Sequence, residues 1–274
     1  MKDLPLVCFV FIFLFLTLMF ISESKFRIDK TQEEEKFEEI KKENNSIIKQ
    51  INEKRKKITN IFVKSIIVEN KFNRINISSN GTLAYKKNDF FRLILNSVFG
   101  KEVDIGSNDK LFWYWSKRSI DKALCYSAYE DIKKTRLKEP LNPILLKINL
   151  LIDEIPETQE SKIYESSNNI LITWQYDSIN DNSKLTCVLK IEKHTLKPKE
   201  ITLYDSKNNL LTKSTIQNLF KYNEIYLPQK INMLWPSENI QTTWNLKDIT
   251  FNHDINEKLW QMPEAKNKID IGKN

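Results

Sequence analysis

From about residue 62 onward, apolar and polar residues alternate in short runs separated by polar clusters, the period-two pattern of half-buried strands. Residues 63–68 begin the series, and residues 75–77 and 81–85 come next, with Asn80-Gly81 between them as a hairpin-turn signal. Phe91, Leu93 and Leu95 alternate with Arg92 and Asn96, so a strand there places the three apolar side chains on one face. Residues 111–115 read as a dense aromatic strand that includes Trp113 and Trp115. Further runs lie at 170–174, 185–191, 201–204, 218–223, 230–234 and 242–249. Polar clusters at 180–182, 197–198 and 206–209 supply turns between them. The spacing predicts a mostly β fold (α+β in class), a meander that is closed or half closed.

Two segments break the period. Pro140 and Pro143 precede an apolar stretch over 144–151, which predicts a short helix over residues 141–151, laid across the β layer. Residues 29–60 are charge-dense and hold neither Gly nor Pro. Thr31 followed by Glu34 has the form of a capping box. An apolar stripe of Ile40, Ile47, Ile48, Ile51, Ile58 and Ile61 appears only in the second half. Residues 25–46 therefore read as a solvated, charged helical stalk, and the part after it as a helix packed on the β domain.

Before the stalk, Lys2 precedes a long apolar run over residues 4–21 that carries no charge. Its length exceeds a usual secretory core and approaches a bilayer span. Ser22 and Ser24 offer small residues for cleavage after Ser24, so residues 1–24 are either a signal peptide or an uncleaved membrane anchor. Both readings export the rest of the chain. Cys8 sits near the start of the run rather than at its end, which argues against lipidation there.

Composition narrows the chemistry. The net charge of +7 invites nucleic acid or an anionic surface as partner. Acidic residues interleave with the basic ones, however, and no nucleic-acid module signature is present. Cys125 and Cys187 read as buried small hydrophobes in separate strands, with a disulfide between them as the alternative. His194 and His253 lack a partner at ligand spacing and read as surface residues, so no metal site or cofactor is expected. Glu154 and Glu157, around Pro156, have the residue types of a glycosidase pair but sit in a polar loop that reads as solvated. No nucleophile elbow or phosphate loop appears, and the chain is expected not to be an enzyme.

One stretch carries a family likeness. Lys86-Lys87-Asn88-Asp89-Phe90-Phe91-Arg92-Leu93-Ile94-Leu95 is followed by Phe99-Gly100-Lys101-Glu102-Val103-Asp104-Ile105-Gly106-Ser107-Asn108-Asp109 and then Leu111-Phe112-Trp113-Tyr114-Trp115. With Ile225-Tyr226-Leu227-Pro228-Gln229-Lys230-Ile231, residues 243–252 and Leu259-Trp260-Gln261-Met262-Pro263, this order resembles the LolA/LolB superfamily of periplasmic lipoprotein carriers and receptors. The likeness covers residues 47–263 and leaves 264–274 as a polar tail.

The resemblance implies an incomplete antiparallel β-barrel with short covering helices and an apolar cavity for acyl chains. It implies a non-enzymatic carrier or receptor of lipidated proteins or lipid, at work in localising lipoproteins to the outer membrane. The chain would lie in the periplasm, tethered to the inner membrane where residues 1–24 stay uncleaved as an anchor, with outer-membrane association less expected without a lipobox. Phe91, Leu93, Leu95, Trp113 and Trp115 form the expected acyl-binding set, and Lys87 takes the place of a lid latch. Two departures matter: the family's Arg at the latch is Lys87 here, without the planar fork, and its following Pro is Asn88. Neither a lipobox nor the protruding apolar loop of LolB-type receptors is evident. The other reading is a membrane-anchored interaction domain whose interior is filled by its own side chains.

Overall fold

Two meanders of consecutive hairpins, one from each half of the chain, join into a single open sheet of 15 strands. The computed structural model describes residues 36–40, 46–72, 75–117, 119, 122–135, 142–158, 160–177 and 183–273. The apolar run, the cleavage site and the capping box lie outside the described residues.

The first meander runs through β2 (Asn60–Phe72), β3 (Ile75–Lys86), β4 (Phe90–Ser97), β5 (Gly100–Ser107), β6 (Leu111–Ser116) and β7 (Leu124–Ala128). The second runs through β8 (Lys162–Glu165), β9 (Asn169–Asp177), β10 (Lys184–Glu192), β11 (Pro198–Tyr204), β12 (Leu210–Tyr222), β13 (Ile225–Trp235) and β14 (Ile240–Phe251). β14 pairs antiparallel with β2, which fuses the two meanders. A short N-terminal strand, β1 (Glu38–Ile40), adds to β8 at one edge. At the other edge β15 (Lys268–Asp270) adds to β7 in parallel.

This order has a mechanical consequence. The chain leaves β7 near one edge and must re-enter at β8 near the other, so the connection crosses the whole sheet. It does so over one face, carrying the helix α2 (Pro143–Asn149). Leu145, Leu146, Ile148, Leu150, Leu151 and Ile155 of this crossover share one buried cluster with Phe91, Leu93, Phe112, Ile172, Leu189, Ile201 and Met233 of the sheet. Strands far apart in the order can meet in one core only if the sheet curls, as a twisted sheet this wide must. A second helix, α1 (Ser46–Arg55), turns Ile48, Asn52 and Arg55 inward, three positions at helical spacing.

Local chemistry explains the punctuation. Asn142 caps α2 by accepting from the backbone N–H of Ile144 at 2.9 Å, and Pro143 occupies the first turn, where its missing N–H costs nothing. The β3–β4 turn holds Asn88 and Asp89 at φ 68° and 69°, the left-handed pair that a tight hairpin requires. A proline, fixed near −65°, could not occupy position 88 in this turn.

Three expectations are corrected. Asn80-Gly81 is not a turn: β3 runs straight through it, and Gly81 is needed because a Cβ there would lie 1.8 Å from the Ile94 carbonyl oxygen on β4. The expected helical stalk is extended at Glu38–Ile40, where the backbone pairs with β8 and Lys190 lies 5.6 Å from the Phe37 ring. The supposed polar tail joins the sheet, with Ile269 opposite Cys125 and packed against the core.

Candidate functional site

The crossover is fastened to the sheet by polar bonds around an apolar interior, and a lysine sits at the centre of them. In α2 the sequence Pro143-Ile144-Leu145-Leu146-Lys147-Ile148-Asn149 leaves no wide polar face, so Lys147 is carried inward with its neighbours; its side chain is 4% exposed. Its Nζ lies 2.7 Å from Asp89 Oδ1 on the β3–β4 turn and 3.5 Å from Asp153 Oδ2 beyond the helix. Burial works against the ammonium, but Asp153, Tyr129 and Asp89 outweigh it and hold the pKa above the ordinary lysine value. Lys147 is therefore charged.

Asp153 is a second node. Tyr85 Oη donates to its Oδ1 at 2.7 Å, and Arg55 Nη1 of α1 donates to its backbone carbonyl at 2.7 Å. Burial, then the adjacent Asp153 carboxylate, push the Tyr85 phenol well above its usual range, so it stays a donor. Burial lowers the Arg55 guanidinium to about 10, which leaves it protonated at neutral pH. Asn52 closes the next turn of the loop, donating to Ile155 O at 2.7 Å and accepting from Ile155 N at 2.9 Å.

Lys87, the expected latch, donates to Glu154 Oε1 at 2.9 Å and to the Lys56 carbonyl at 3.2 Å, just past the end of α1. Glu154 and Glu157 accept from Lys87 and Asn52; Glu157 is exposed, as the polar loop led one to expect, and Glu154 is partly so. On the opposite side, Asn149 Oδ1 accepts from Ser214 Oγ at 2.6 Å and Thr212 Oγ1 at 3.4 Å on β12. The cover is tied to both meanders.

The interior beneath it contains Phe91, Leu93 and Leu95, which lie on one face of β4 as alternation requires and belong to the common core. Trp113 and Trp115 do not join them. Phe91 pairs with Ser107 and Ser107 with Phe112, whereas Arg92 pairs with Gly106 and Gly106 with Trp113. Cross-strand partners share a face, so both tryptophans lie on the outer side of the sheet, an expectation corrected by register. Trp113 lies flat over Gly106, where a Cβ would meet the indole at 2.2 Å, and stacks 5.3 Å from the Arg92 guanidinium. Arg92 in turn bonds Asp104 at 2.9 Å and the carbonyls of Leu259 and Gln261 at 2.8 Å each, stitching the C-terminal segment to the outer face.

A further feature escaped the sequence reading. Val98 and Phe99, the two residues of the β4–β5 turn, are 93% and 78% exposed and form an apolar tip on that hairpin. His194 and His253 are exposed as expected. Cys125 and Cys187 are buried and form no disulfide. Among the described residues no group of His, Cys, Asp and Glu is arranged to hold a metal ion, and no helix is long and apolar enough to cross a membrane.

An open antiparallel sheet curled around a helical cover has counterparts among solved structures. The fold is similar to those of solved proteins of the LolA superfamily and the DUF1329 family. A LolA superfamily protein from Nitrosomonas europaea superposes with a TM-score of 0.53 at 12% identity, covering 80% of this chain and 97% of that one. A DUF1329 family protein from Desulfovibrio piger gives 0.54 at 9% identity over 79% and 95%. A domain named for outer membrane lipoprotein sorting, from Vibrio parahaemolyticus, gives 0.50 at 12% identity over 77% and 94%. No family model and no curated protein matches the sequence. The LolA-like likeness therefore lives in the backbone.

Proposed function

We propose that this protein is a non-enzymatic carrier or receptor of lipidated proteins or lipid in the bacterial envelope. It acts from the periplasm in the traffic of lipoproteins to the outer membrane. Acyl chains would lodge between the concave face, at Phe91, Leu93 and Leu95, and the cover formed by α1 and α2. The observation that carries the reading is the construction of that cover. Its underside is apolar, and its attachments at both rims are polar bonds that water can replace when it lifts. Each buried methylene of a guest contributes about 0.8 kcal/mol, so a chain of a dozen methylenes offsets the loss of several such bonds.

The LolA fold and the lipoprotein-sorting neighbour support the same class of function. Lys87 serves as the latch to α1 and the loop through Lys56 and Glu154. One observation favours the other reading, an anchored interaction domain: Phe91, Ile172 and Ile201 are fully buried by the protein's own side chains. A guest therefore enters only if the cover moves.

Native mass spectrometry of the full-length chain, purified from its own cells, tests the proposal. Retained lipid or lipopeptide that is lost in a Phe91→Glu variant which still folds supports the carrier. A wild-type protein that carries no lipid and takes up no fluorescent acyl probe refutes it.

A further inference from the structure

The outer face of the sheet holds a cleft lined by none of the core residues beneath the cover. It has a volume of about 480 Å³ and lies between β5–β7 and the C-terminal segment beyond Trp260. Trp115 and Pro263 supply its accessible apolar surface over the buried Leu124, and Lys101, Lys122 and Lys266 supply cationic groups. The Trp115 indole is held in place by its Nε1, which donates to the Lys122 carbonyl at 3.1 Å.

The charges do not cancel internally. Asp104, deep in the cleft wall, is already matched by Arg92 at 2.9 Å, and Lys101 adds a contact at 3.1 Å. Glu264 is the other acid of the lining. Among the described residues Lys122 and Lys266 form no ion pair or side-chain hydrogen bond, so the cleft presents two uncommitted ammonium groups beside an aromatic surface. Lysine suits a compact, multiply charged anion approached as a point charge. An aromatic and aliphatic wall beside it suits a few methylenes.

We infer that this cleft binds the phosphate of an amphiphile, with Lys122 and Lys266 on the phosphate and the adjoining alkyl segment against Trp115 and Pro263. The lipid source is favoured over free phosphate by what stands next to the cleft. Lys101 comes two residues after the exposed Val98–Phe99 tip, and Lys117 Nζ both donates to the Phe99 carbonyl at 2.7 Å and lies 5.9 Å from its ring. An apolar tip beside a cationic cleft matches the order of groups at a membrane surface, alkyl inside and phosphate outside.

The test uses the full-length chain in a non-ionic detergent at low salt. The probes are hexyl phosphate, inorganic phosphate and hexyltrimethylammonium, read by 31P line broadening for the two phosphates and by tryptophan fluorescence for all three. Hexyl phosphate is expected to bind roughly tenfold or more tightly than inorganic phosphate, because two sequestered methylenes already supply that factor. Hexyltrimethylammonium should not bind. Lys122→Gln/Lys266→Gln, at exposed positions that leave the melting temperature unchanged, should weaken hexyl phosphate roughly tenfold, and Trp115→Phe should abolish the fluorescence response. Equal affinity for hexyl phosphate and inorganic phosphate overturns the lipid assignment. Undiminished binding by the double-lysine variant overturns the site. Neither result bears on acyl binding under the cover, which Phe91→Glu tests separately.

Discussion

Replacing Lys147 by Met separates a latch from an ordinary core contact. The substitution keeps the length and apolar stem of the side chain but removes the ammonium from between Asp89 and Asp153. Removing one partner of a fully buried ion pair costs about 3–5 kcal/mol. Here the two acids are 53% and 34% exposed, so water takes over part of the lost interaction. That screening brings the expected cost to about 1–3 kcal/mol. At 1.4 kcal/mol for each factor of ten, the cover should open roughly fivefold to a hundredfold more often.

Hydrogen exchange is the assay, because local opening is read there amide by amide. The reporters are the N–H groups of Leu146, Leu150 and Leu151, which bond to Asn142, Leu146 and Ile148. Their protection should fall in Lys147→Met while the paired amides of β12 and β13 hold theirs. Uniform loss across both regions would refute the latch and make α2 part of the global core. The pH dependence has a definite sign. Since the folded pKa lies above the free value of 10.5, the contribution of Lys147 is complete at all pH below 10.5 and fades only as pH rises through the folded value. The lysine therefore contributes no weakening of the latch in the neutral range.

Other expected outcomes rest on single contacts. Phe91→Ala empties a fully buried site and should cost about 3–5 kcal/mol in thermal or urea unfolding; a loss under ~1 kcal/mol would mean the interior is looser than described. Asn149→Ala leaves the hydroxyls of Ser214 and Thr212 without their acceptor and should cost about 1–3 kcal/mol, with increased exchange in α2. Gly106→Ala drives a methyl into the Trp113 indole and should lower stability by about 1–3 kcal/mol while loosening residues 259–263, a change visible by limited proteolysis. Burial pushes the Cys187 thiol up to about 12, so iodoacetamide at pH 8 should modify it only after denaturant is added; labelling of the native chain would contradict its burial.

Much of the fold was legible because period-two alternation survives wherever one face is buried. Strands β4, β6, β10 and β13 lie close to the residues that the pattern marked, and α2 sits where two prolines and an apolar run placed it. The failures share a cause: each residue's role depends on a distant strand. Asn80-Gly81 has turn chemistry, yet the glycine answers to Ile94 on the neighbouring strand rather than to a local bend. Residues 38–40 and 268–270 look like solvated charge, but each completes an edge whose partner, β8 or β7, lies more than a hundred residues away. Backbone pairing at an edge asks little of side chains, so charged residues there are compatible with a strand.

The candidate site shows the same limit more sharply. Alternation alone put Phe91, Leu93 and Leu95 together, but it carries no information about which face of the next hairpin continues theirs. That parity is set by the turn between β5 and β6, where Ser107 pairs with Phe112 and Gly106 with Trp113. One residue more or less in that turn would have brought Trp113 and Trp115 inside and sent Phe112 and Tyr114 out. Lys147 carried a readable signal, since a lone charge in an otherwise apolar helix with no polar face must find a partner when buried. Its partners, however, come from the turn at Asp89 and the loop at Asp153, and only the crossover from β7 to β8 brings helix, turn and loop to one place. Strand order is thus the step between the two: it forces the connection over the concave face, and that passage makes an apolar helix into a cover with a charged fastening.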